Sequence, residues 1–447
     1  MSQDVDRLWM LPPDASRKDQ FIAKLVSFLA RMTYREIDVH WEPTPSGSPR
    51  VTVSNHFGGF ADALVLLSVM PRRPGIVARD VIWKIPVVGR LMNWVGGIPV
   101  HKPEDGGTAS DNDQMFASCY RALEGEGHIL IFPEGVTRNE PSIARVKTGA
   151  ARIALGARAH GADDVIIVPV GIHYENKAAL RSRVFVNGGM PIHVDSAVPA
   201  GEPDLGADDR DAVAAVTETI DVVLRRAAPD YSDWNEAHLL TAGAEIALRS
   251  RLDDPGAPVP LGLRDRLANT LADRPETDRH RVCAAVADYR RDLDDLGLTD
   301  ATVTPRLGTG RFYLGVAAQI LLGLLLAPFA LVGAAINVIP FLIVKAVGML
   351  KVAPSMLSTI KPITAFVVFG VTWGVVIWRA TSALGWQGGL AAFVLLPVYL
   401  AATVLFVERA TAFGALVRRR RSRRVSEGLG DQLLAERARV VDAVLAA

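Results

Sequence analysis

The last third of the chain constrains the fold most, because its apolar stretches are longer than a soluble core requires. Phe312–Val344 runs for 33 residues without a Lys, Arg, Asp or Glu, whereas one helix that crosses a membrane needs only about 20 apolar residues. Pro328 and Pro340 interrupt this stretch, so it fits either a membrane-embedded helical hairpin or one long kinked span. Ile363–Trp378 and Leu384–Val407 are two more apolar segments, and they predict a pair of spans.

The basic residues around these segments indicate the side of the membrane on which each end lies. Lys345, Lys351 and Lys361 flank the loop between the first two apolar stretches, and six arginines lie within 418–424 after the third. Positive residues favour the cytoplasmic side and attract anionic lipid headgroups. We therefore expect 312–344 to be a re-entrant hairpin. The lysine loop, the arginine run and the N-terminal part of the chain then share the cytoplasmic face.

The first 230 residues alternate between two kinds of hydrophobic pattern. Helical spacing of apolar residues predicts helices at 18–36, 62–70, 108–124, 148–159 and 209–227. Short apolar-rich runs predict strands at 36–41, 50–54, 128–132, 165–171 and 184–186. Two of these runs, 128–132 and 165–171, are almost continuously apolar, which is typical of strands buried on both faces. The alternation predicts an α/β layered fold.

Residues 231–305 are predicted to form a helical region that carries no chemistry we identify. Its helices are predicted at 236–251, 261–272 and 276–296, with prolines between them. The predicted organisation is an α/β domain at 18–230, a helical accessory region at 231–305, membrane-embedded helices at 306–410 and a basic cytoplasmic tail at 411–447.

Several classes of protein are excluded by composition and by missing motifs. Cys119 and Cys283 are the two cysteines of the chain, so a disulfide framework and a multi-cysteine metal site are both excluded. The sequence has no Gly-x-Ser-x-Gly elbow and no Walker-type phosphate loop. Its net charge of +1 gives no overall attraction to nucleic acid.

The segment Asn55-His-Phe-Gly-Gly-Phe-Ala-Asp62 follows the predicted strand 50–54 and carries the residue types of a general base. A neutral imidazole accepts a proton from a hydroxyl, and a carboxylate bound to its other nitrogen fixes the tautomer. Gly58 and Gly59 let the loop bend so that His56 and Asp62 meet. The alternative is a structural histidine in a loop, followed by an aspartate that caps the next helix.

Three other segments accompany this pair, and the four together resemble the glycerolipid acyltransferase family, which includes lysophosphatidate and glycerol-3-phosphate acyltransferases. The segments are Asn55-His56 with Asp62, residues 97–103 (GIPVHKP), residues 132–138 (FPEGVTR) and residues 168–170 (VPV). The resemblance covers roughly residues 18–195. It implies a layered domain like that of glycerol-phosphate acyltransferases, followed here by the helical region and the C-terminal membrane helices.

The sequence departs from the commonest family pattern at three places. Five residues rather than four separate His56 from Asp62, Val136 is inserted before Thr137, and Lys102 stands where an arginine is usual. The first two variants, with the continuation Asn-Glu-Pro at 139–141, resemble a subgroup of glycerol-3-phosphate or dihydroxyacetone-phosphate acyltransferases. Lysine gives a point charge rather than a bidentate fork, which alters how a phosphate would be held.

The resemblance assigns roles to individual residues. His56 and Asp62 are the expected catalytic residues. The candidate substrate-binding residues are Lys102, Glu134, Gly135, Thr137 and Arg138. Arg138 and Lys102 would hold a phosphate, Thr137 would add a hydroxyl donor, and N–H groups near Gly135 would stabilise an oxyanion. Glu134 repels phosphate, so we expect it to hold a neighbouring Arg, Lys or backbone N–H. Taken singly, Lys102 and Arg138 are typical of solvated surface charges.

The implied function is that of a membrane-bound O-acyltransferase in phospholipid biosynthesis. The donor is an acyl thioester, either acyl-CoA or acyl carrier protein, and the acceptor is glycerol-3-phosphate or 1-acyl-glycerol-3-phosphate. Neither a cofactor nor a metal is expected. Two alternatives stay open: a membrane protein of this fold that binds lipid or a partner without turnover, and an acyltransferase that acts on a glycolipid or another lysolipid.

Overall fold

The fold is described from a computed structural model of the chain. The described residues are 16–447 without positions 46, 71, 85, 102–107, 178, 180, 198–205, 253–256, 304–308, 353 and 427–429. The chain separates into two compact units that divide after Trp234.

The first unit alternates helices and strands. Its described helices are α1 (Arg17–Thr33), α2 (Phe60–Val69), α3 (Pro86–Val95), α4 (Ala109–Leu123), α5 (Gly149–Ala159) and α6 (Arg210–Ala227). Its described strands are β1 (Tyr34–Trp41), β2 (Arg50–Ser54), β3 (Gly75–Arg79), β4 (Gly97–Val100), β5 (His128–Ile131), β6 (Ile166–Tyr174), β7 (Ser182–Gly188) and β8 (Ile192–His193).

The strands form one mixed sheet with helices on both faces. The order is β1-β7-β6-β2-β5-β3-β4, with β8 beside β6. From β6 to β4 the neighbours are parallel, whereas β7 and β8 run antiparallel to β6. Along β6, Ile167 packs in the cluster that includes α4, α5 and α6, while Ile166 and Val168 pack in the cluster that includes α1 and α2. Both faces of the strand are therefore buried, which confirms the predicted α/β layers.

The strand register brings three loops to one edge of the sheet. Val53 of β2 pairs with Ile131 of β5, and Ser54 pairs with Val170 of β6. The carboxyl ends of these parallel strands are thus at the same level, which is where ligands bind in open α/β sheets. The segments that begin at Asn55 and Phe132 therefore start side by side, and β6 extends past both of them to Tyr174.

The structure has β3, α3 and β4 between residues 75 and 100, where the sequence predicted no helix or strand. These two strands are short, with five and four residues, and Arg79 and Lys84 obscure the apolar pattern. β4 contains Pro99 and lies at the end of the strand order. An edge strand tolerates proline because one side of its backbone needs no ladder hydrogen bond.

The second unit is helical in its described residues. After α7 (Trp234–Arg249) come α8 (Leu261–Ala272), α9 (Glu276–Asp295), α10 (Asp300–Val303), α11 (Thr309–Val347), α12 (Pro354–Ser426) and α13 (Gly430–Ala446). Three of these helices correspond closely to the predicted ones at 236–251, 261–272 and 276–296.

The C-terminal segment differs from the predicted basic tail. Helix α13 packs against α9, with Val440 and Val444 buried. The guanidinium of Arg437 donates from Nε to Asp300 Oδ1 at 2.8 Å and from Nη2 to the carbonyl of Ile246 at 2.9 Å. Apolar residues spaced by one helical turn give α13 a face that must be covered. This part of the chain therefore belongs to the helical unit.

The predicted re-entrant hairpin at 312–344 is replaced by a single helix. Pro328 and Pro340 both lie inside α11, which continues for 39 residues. A proline removes one backbone hydrogen bond and kinks a helix, but it does not reverse the chain. The helical backbone is interrupted instead within α12, at Gly385, where φ is 71°. The long kinked span, the other arrangement left open by the sequence, describes α11.

The parts of α12 before and after Gly385 both contact α11. Trp373 donates from Nε1 to Asn337 Oδ1 at 3.0 Å, and Thr403 donates from Oγ1 to the carbonyl of Ala330 at 3.2 Å. Two stretches, Tyr313–Val347 and Thr359–Gly414, are long and apolar enough to cross a membrane. Only 17% and 22% of their most apolar windows are buried, whereas the core helix of a soluble protein is mostly buried.

Gly171 of β6 provides a test of the packing between the sheet and α6. A Cβ at this position would overlap the carbonyl of Ala227 and lie 2.6 Å from Cα of Ala228. We expect Gly171→Ala to cost about 1–3 kcal/mol, as overpacking of a core usually does. Thermal unfolding of the full chain in detergent measures this as a lower midpoint. The matched control is Gly149→Ala, where the nearest atom lies 3.8 Å away. Equal midpoints for the two variants would contradict the described contact.

Candidate active site

The loop after β2 brings His56 and Asp62 into contact. His56 Nδ1 lies 2.9 Å from Asp62 Oδ2. The carboxylate of Asp62 is fully buried in the first turn of α2. It accepts two more hydrogen bonds, from the Gly58 N–H at 2.8 Å and from the Tyr174 hydroxyl at 2.6 Å. Three donors therefore fix this carboxylate in place beside the imidazole.

The two glycines of the loop are both needed for this geometry. Gly59 has φ 60° and ψ −123°, a combination that side chains strongly disfavour. A Cβ at Gly58 would lie 2.7 Å from Asp62 Oδ1. A side chain at either position would therefore disturb the contact between His56 and Asp62.

The imidazole of His56 is oriented by two neighbours and is accessible from outside. Its ring stacks on Phe132, with the ring centroids 4.1 Å apart and the planes 20° from parallel. Because the carboxylate of Asp62 accepts only, Nδ1 carries the proton and Nε2 is left as an acceptor. The side chain of His56 is 21% exposed. Part of the imidazole is therefore open to solvent.

Glu134 ties the His56 loop to the loop after β5. Its Oε1 accepts from the N–H of His56 at 2.8 Å, and its Oε2 accepts from the N–H of Ala144 at 2.8 Å. Burial raises the pKa of Glu134, and these two backbone hydrogen bonds oppose the shift. The contacts of this candidate substrate-binding residue are thus with backbone of the protein, as expected of a residue that repels phosphate.

The remaining candidate residues follow Glu134 on the surface or lie elsewhere. Thr137 and Arg138 are exposed. Gly135 has φ 64°, and its N–H donates to the carbonyl of Phe132 at 3.0 Å. That N–H is engaged in the turn, so it is a poorer candidate for an oxyanion donor than the sequence indicated. Lys102 lies outside the described residues.

Three residues at the site had no role in the sequence analysis. Asn55 donates from Nδ2 to the carbonyl of Ile172 at 3.1 Å and accepts from the Ile172 N–H at 2.7 Å, which extends the pairing of β2 with β6. Tyr174 holds Asp62. The ammonium of Lys147 packs over Gly135, where a Cβ would lie 3.1 Å from Nζ. The position of Asn55 next to His56 was the available signal, whereas the role of Tyr174 depends on strand pairing.

A cavity of about 570 Å³ lies elsewhere in the first unit. It is lined by Gly47 and Pro49, which precede β2, and by Asp163, which precedes β6. His56 follows β2, so this cavity is at the opposite edge of the sheet. None of the predicted site residues lines it. We assign the chemistry to the His56 edge because the oriented imidazole is there.

The chain is similar to known proteins over the first unit. Residues 36–173 match the family model described as Acyltransferase. Glycerol-3-phosphate O-acyltransferase 2 of Saccharomyces cerevisiae is 29% identical over 195 residues, which cover 43% of this chain and 26% of the yeast protein. Glycerol-3-phosphate O-acyltransferase 1 of the same yeast is 31% identical over 127 residues, which cover 28% of this chain and 16% of that relative.

The matches leave most of each yeast protein uncovered, since this chain spans only 26% and 16% of their lengths. A crystal structure of the 1-acyl-sn-glycerophosphate acyltransferase from Thermotoga maritima is also similar. It has 17% identity and a TM-score of 0.34, and the similarity covers 46% of this chain and 78% of that one.

Replacing Glu134 tests whether it fastens the His56 loop. In Glu134→Gln one carboxylate oxygen becomes an NH2 group, which faces a backbone N–H without an acceptor. We expect a loss of about 1–3 kcal/mol, because a buried donor is left unpaired, and faster hydrogen exchange in the peptide that contains His56. The control is Glu124→Gln, at an exposed position. Unchanged exchange at the His56 amide would show that Glu134 does not hold this loop.

Proposed function

We propose that this chain, whose residues 36–173 match the family model described as Acyltransferase, transfers a fatty acyl group from a thioester donor to the hydroxyl of a phosphorylated glycerol. The observation that carries the proposal is the contact between His56 and the buried Asp62, at 2.9 Å, with the imidazole still partly exposed. The names of the two yeast relatives support the acyl-transfer chemistry and favour glycerol-3-phosphate as acceptor.

The proposed reaction is a direct transfer. His56 Nε2 accepts the proton of the acceptor hydroxyl while the hydroxyl oxygen attacks the thioester carbonyl. The tetrahedral intermediate collapses to an ester, and the departing thiolate takes the proton from the imidazolium. Asp62 stabilises the imidazolium by charge and by its hydrogen bond to Nδ1.

No covalent acyl-enzyme is part of the proposal. Within the described residues, the side chains that hydrogen-bond or stack with the His56–Asp62 pair are Tyr174 and Phe132. Neither is the serine or cysteine that an acyl-enzyme of this kind requires. The attacking group is therefore the hydroxyl of the acceptor.

The acceptor is proposed to be glycerol-3-phosphate or 1-acyl-glycerol-3-phosphate, held by cations near His56. Arg138 lies four residues after Glu134, which binds the His56 backbone, and its guanidinium matches the geometry of phosphate. Thr137 and Lys102 are further proposed contacts. The donor is proposed to be acyl-CoA or acyl carrier protein, and the product would enter phospholipid biosynthesis.

We expect His56→Ala to lose roughly 10²–10⁴-fold in kcat, the contribution of a positioned general base. Asp62→Asn should lose a large part of this, because the imidazole is then held in the wrong tautomer. The measurement uses purified full chain, labelled acyl-CoA and a panel of glycerol phosphate, lysolipid and glycolipid acceptors. His280→Ala changes an exposed histidine of α9 and is the control. Undiminished transfer by His56→Ala would exclude this mechanism.

We also propose that α11 and α12 lie in a membrane and that the catalytic domain faces the cytoplasm. Helix α13 packs against α9, which favours one face for both ends of the membrane segment: α11 would cross once, and α12, interrupted at Gly385, would make one return crossing. The six arginines within 418–424 favour the cytoplasm for that face. An anchored enzyme would release its lipid product directly into the leaflet.

Labelling of single cysteines from each side of sealed membranes tests this topology. In a chain with Cys119 and Cys283 replaced by serine, we expect Lys24→Cys and Arg421→Cys to react from the cytoplasmic face. Lys351→Cys should react from the opposite face, because α11 is one unbroken helix; this differs from the cytoplasmic lysine loop that the sequence predicted. Labelling of Lys24→Cys and Arg421→Cys from opposite faces would contradict the proposed return of the chain.

A further inference from the structure

Lys177 follows β6 in the first unit, and its ammonium has an unusual environment. Nζ is buried and has no hydrogen-bond partner among the described residues. It lies 5.9 Å from the ring centroid of Phe57 and 5.6 Å from that of Trp234. Such ring contacts attract a cation, but they supply no hydrogen-bond acceptor for its N–H groups. A buried ammonium without a hydrogen-bond acceptor is costly, so this position calls for an anion.

The two rings place Lys177 between the catalytic pair and the Arg138 loop. Phe57 directly follows His56, the expected base. Trp234 donates from Nε1 to the carbonyl of Asn139 at 3.1 Å, and Asn139 is the neighbour of Arg138. The ammonium that touches both rings therefore lies within the same part of the molecule as the imidazole and the exposed guanidinium.

The charges around Lys177 agree with this location. Burial lowers the pKa of the Lys177 ammonium, and the carboxylates of Asp62 and Glu140 raise it again. Asp62 already accepts hydrogen bonds from three donors, namely His56, Gly58 and Tyr174. The ammonium of Lys177 is thus close enough to interact electrostatically with the carboxylate of Asp62. Its N–H groups are available to donate to another acceptor.

We propose that Lys177 binds the phosphate of the acceptor alcohol and so determines the preference for phosphorylated acceptors. This rests on the proposed function. The acceptor phosphate is separated from the reacting hydroxyl by a short carbon chain, so it must lie close to His56. The phosphates of coenzyme A are separated from the thioester by the whole pantetheine arm. A cation beside the base therefore fits the acceptor rather than the donor.

The two cations of this region would then act differently. Lys177 offers a compact charge that is buried and already in place, whereas Arg138 offers an exposed planar fork. A phosphate that reaches Lys177 replaces the missing acceptor, and Arg138 would close on it from the solvent side. A neutral acceptor such as glycerol gains nothing at Lys177.

Steady-state kinetics of Lys177→Gln in the full chain test the proposal. We expect the KM for glycerol-3-phosphate to rise about tenfold or more, the loss expected for a hydrogen bond between charged groups. The KM for acyl-CoA, and the rate with glycerol, should change less than about twofold. Lys177→Arg, which keeps the charge, should recover part of the affinity. Inorganic phosphate should compete with the acceptor in the wild type and much less in Lys177→Gln.

The controls separate binding from folding. Lys24→Gln removes an exposed lysine of α1 and should leave both KM values unchanged. Thermal unfolding reports whether Lys177→Gln merely loosens Phe57 and Trp234. Lys177→Gln could lower the unfolding midpoint and also change the KM values for acceptor and donor together, or change kcat with glycerol. That result would assign Lys177 a structural role and overturn the proposal.

The outcomes for Lys177 and for the enzyme assignment are distinguishable. If the wild type transfers acyl groups and Lys177→Gln keeps its KM for glycerol-3-phosphate, the Lys177 proposal is wrong and the function stands. A rise in the KM for acyl-CoA alone would place the donor there and also overturn it. If the wild type transfers nothing, the proposed function fails. Thermal stabilisation by glycerol-3-phosphate that is lost in Lys177→Gln would then still support anion binding at this lysine.

Discussion

The candidate site depends on the hydrogen bonds that the buried carboxylate of Asp62 accepts. This carboxylate accepts hydrogen bonds from an imidazole, a backbone N–H and a phenol, which come from a loop and from β6. A carboxylate removed from water needs such partners. The same set of bonds therefore stabilises the loop after β2 and fixes the imidazole of His56 in one tautomer. Glu134 extends the network by holding the backbone of His56 and Ala144.

This network has a common origin in the sheet. The parallel pairing of β2 with β5 and β6 brings the ends of the three strands to one level. Each strand then contributes one part of the candidate site: His56, the proposed base, follows β2, Glu134 follows β5, and Tyr174 ends β6. The cavity at the other edge receives none of these residues. A buried, rigid sheet thus supports the exposed chemistry on its loops.

The two units would contribute different parts to the proposed lipid-forming reaction. The first unit supplies the base and the proposed phosphate contacts of Lys177 and Arg138. The second supplies helices whose apolar side chains are mostly exposed. The packing of α13 against α9 shows that residues 430–446, which follow the basic run, are not a tail. Its covered apolar face contributes to the packing of the helical unit.

The sequence by itself determined most of the helices and strands and singled out His56 and Asp62 as the proposed catalytic pair, because these follow from local spacing. Apolar periodicity gave β2, β5 and β6, and the His56 segment carried its own chemistry. Tertiary structure decided what depends on partners distant in sequence. Tyr174 reaches Asp62, and Lys177 reaches Phe57, because β6 extends past β2. No local pattern records a register between strands more than 100 residues apart, so these roles became visible only with the fold.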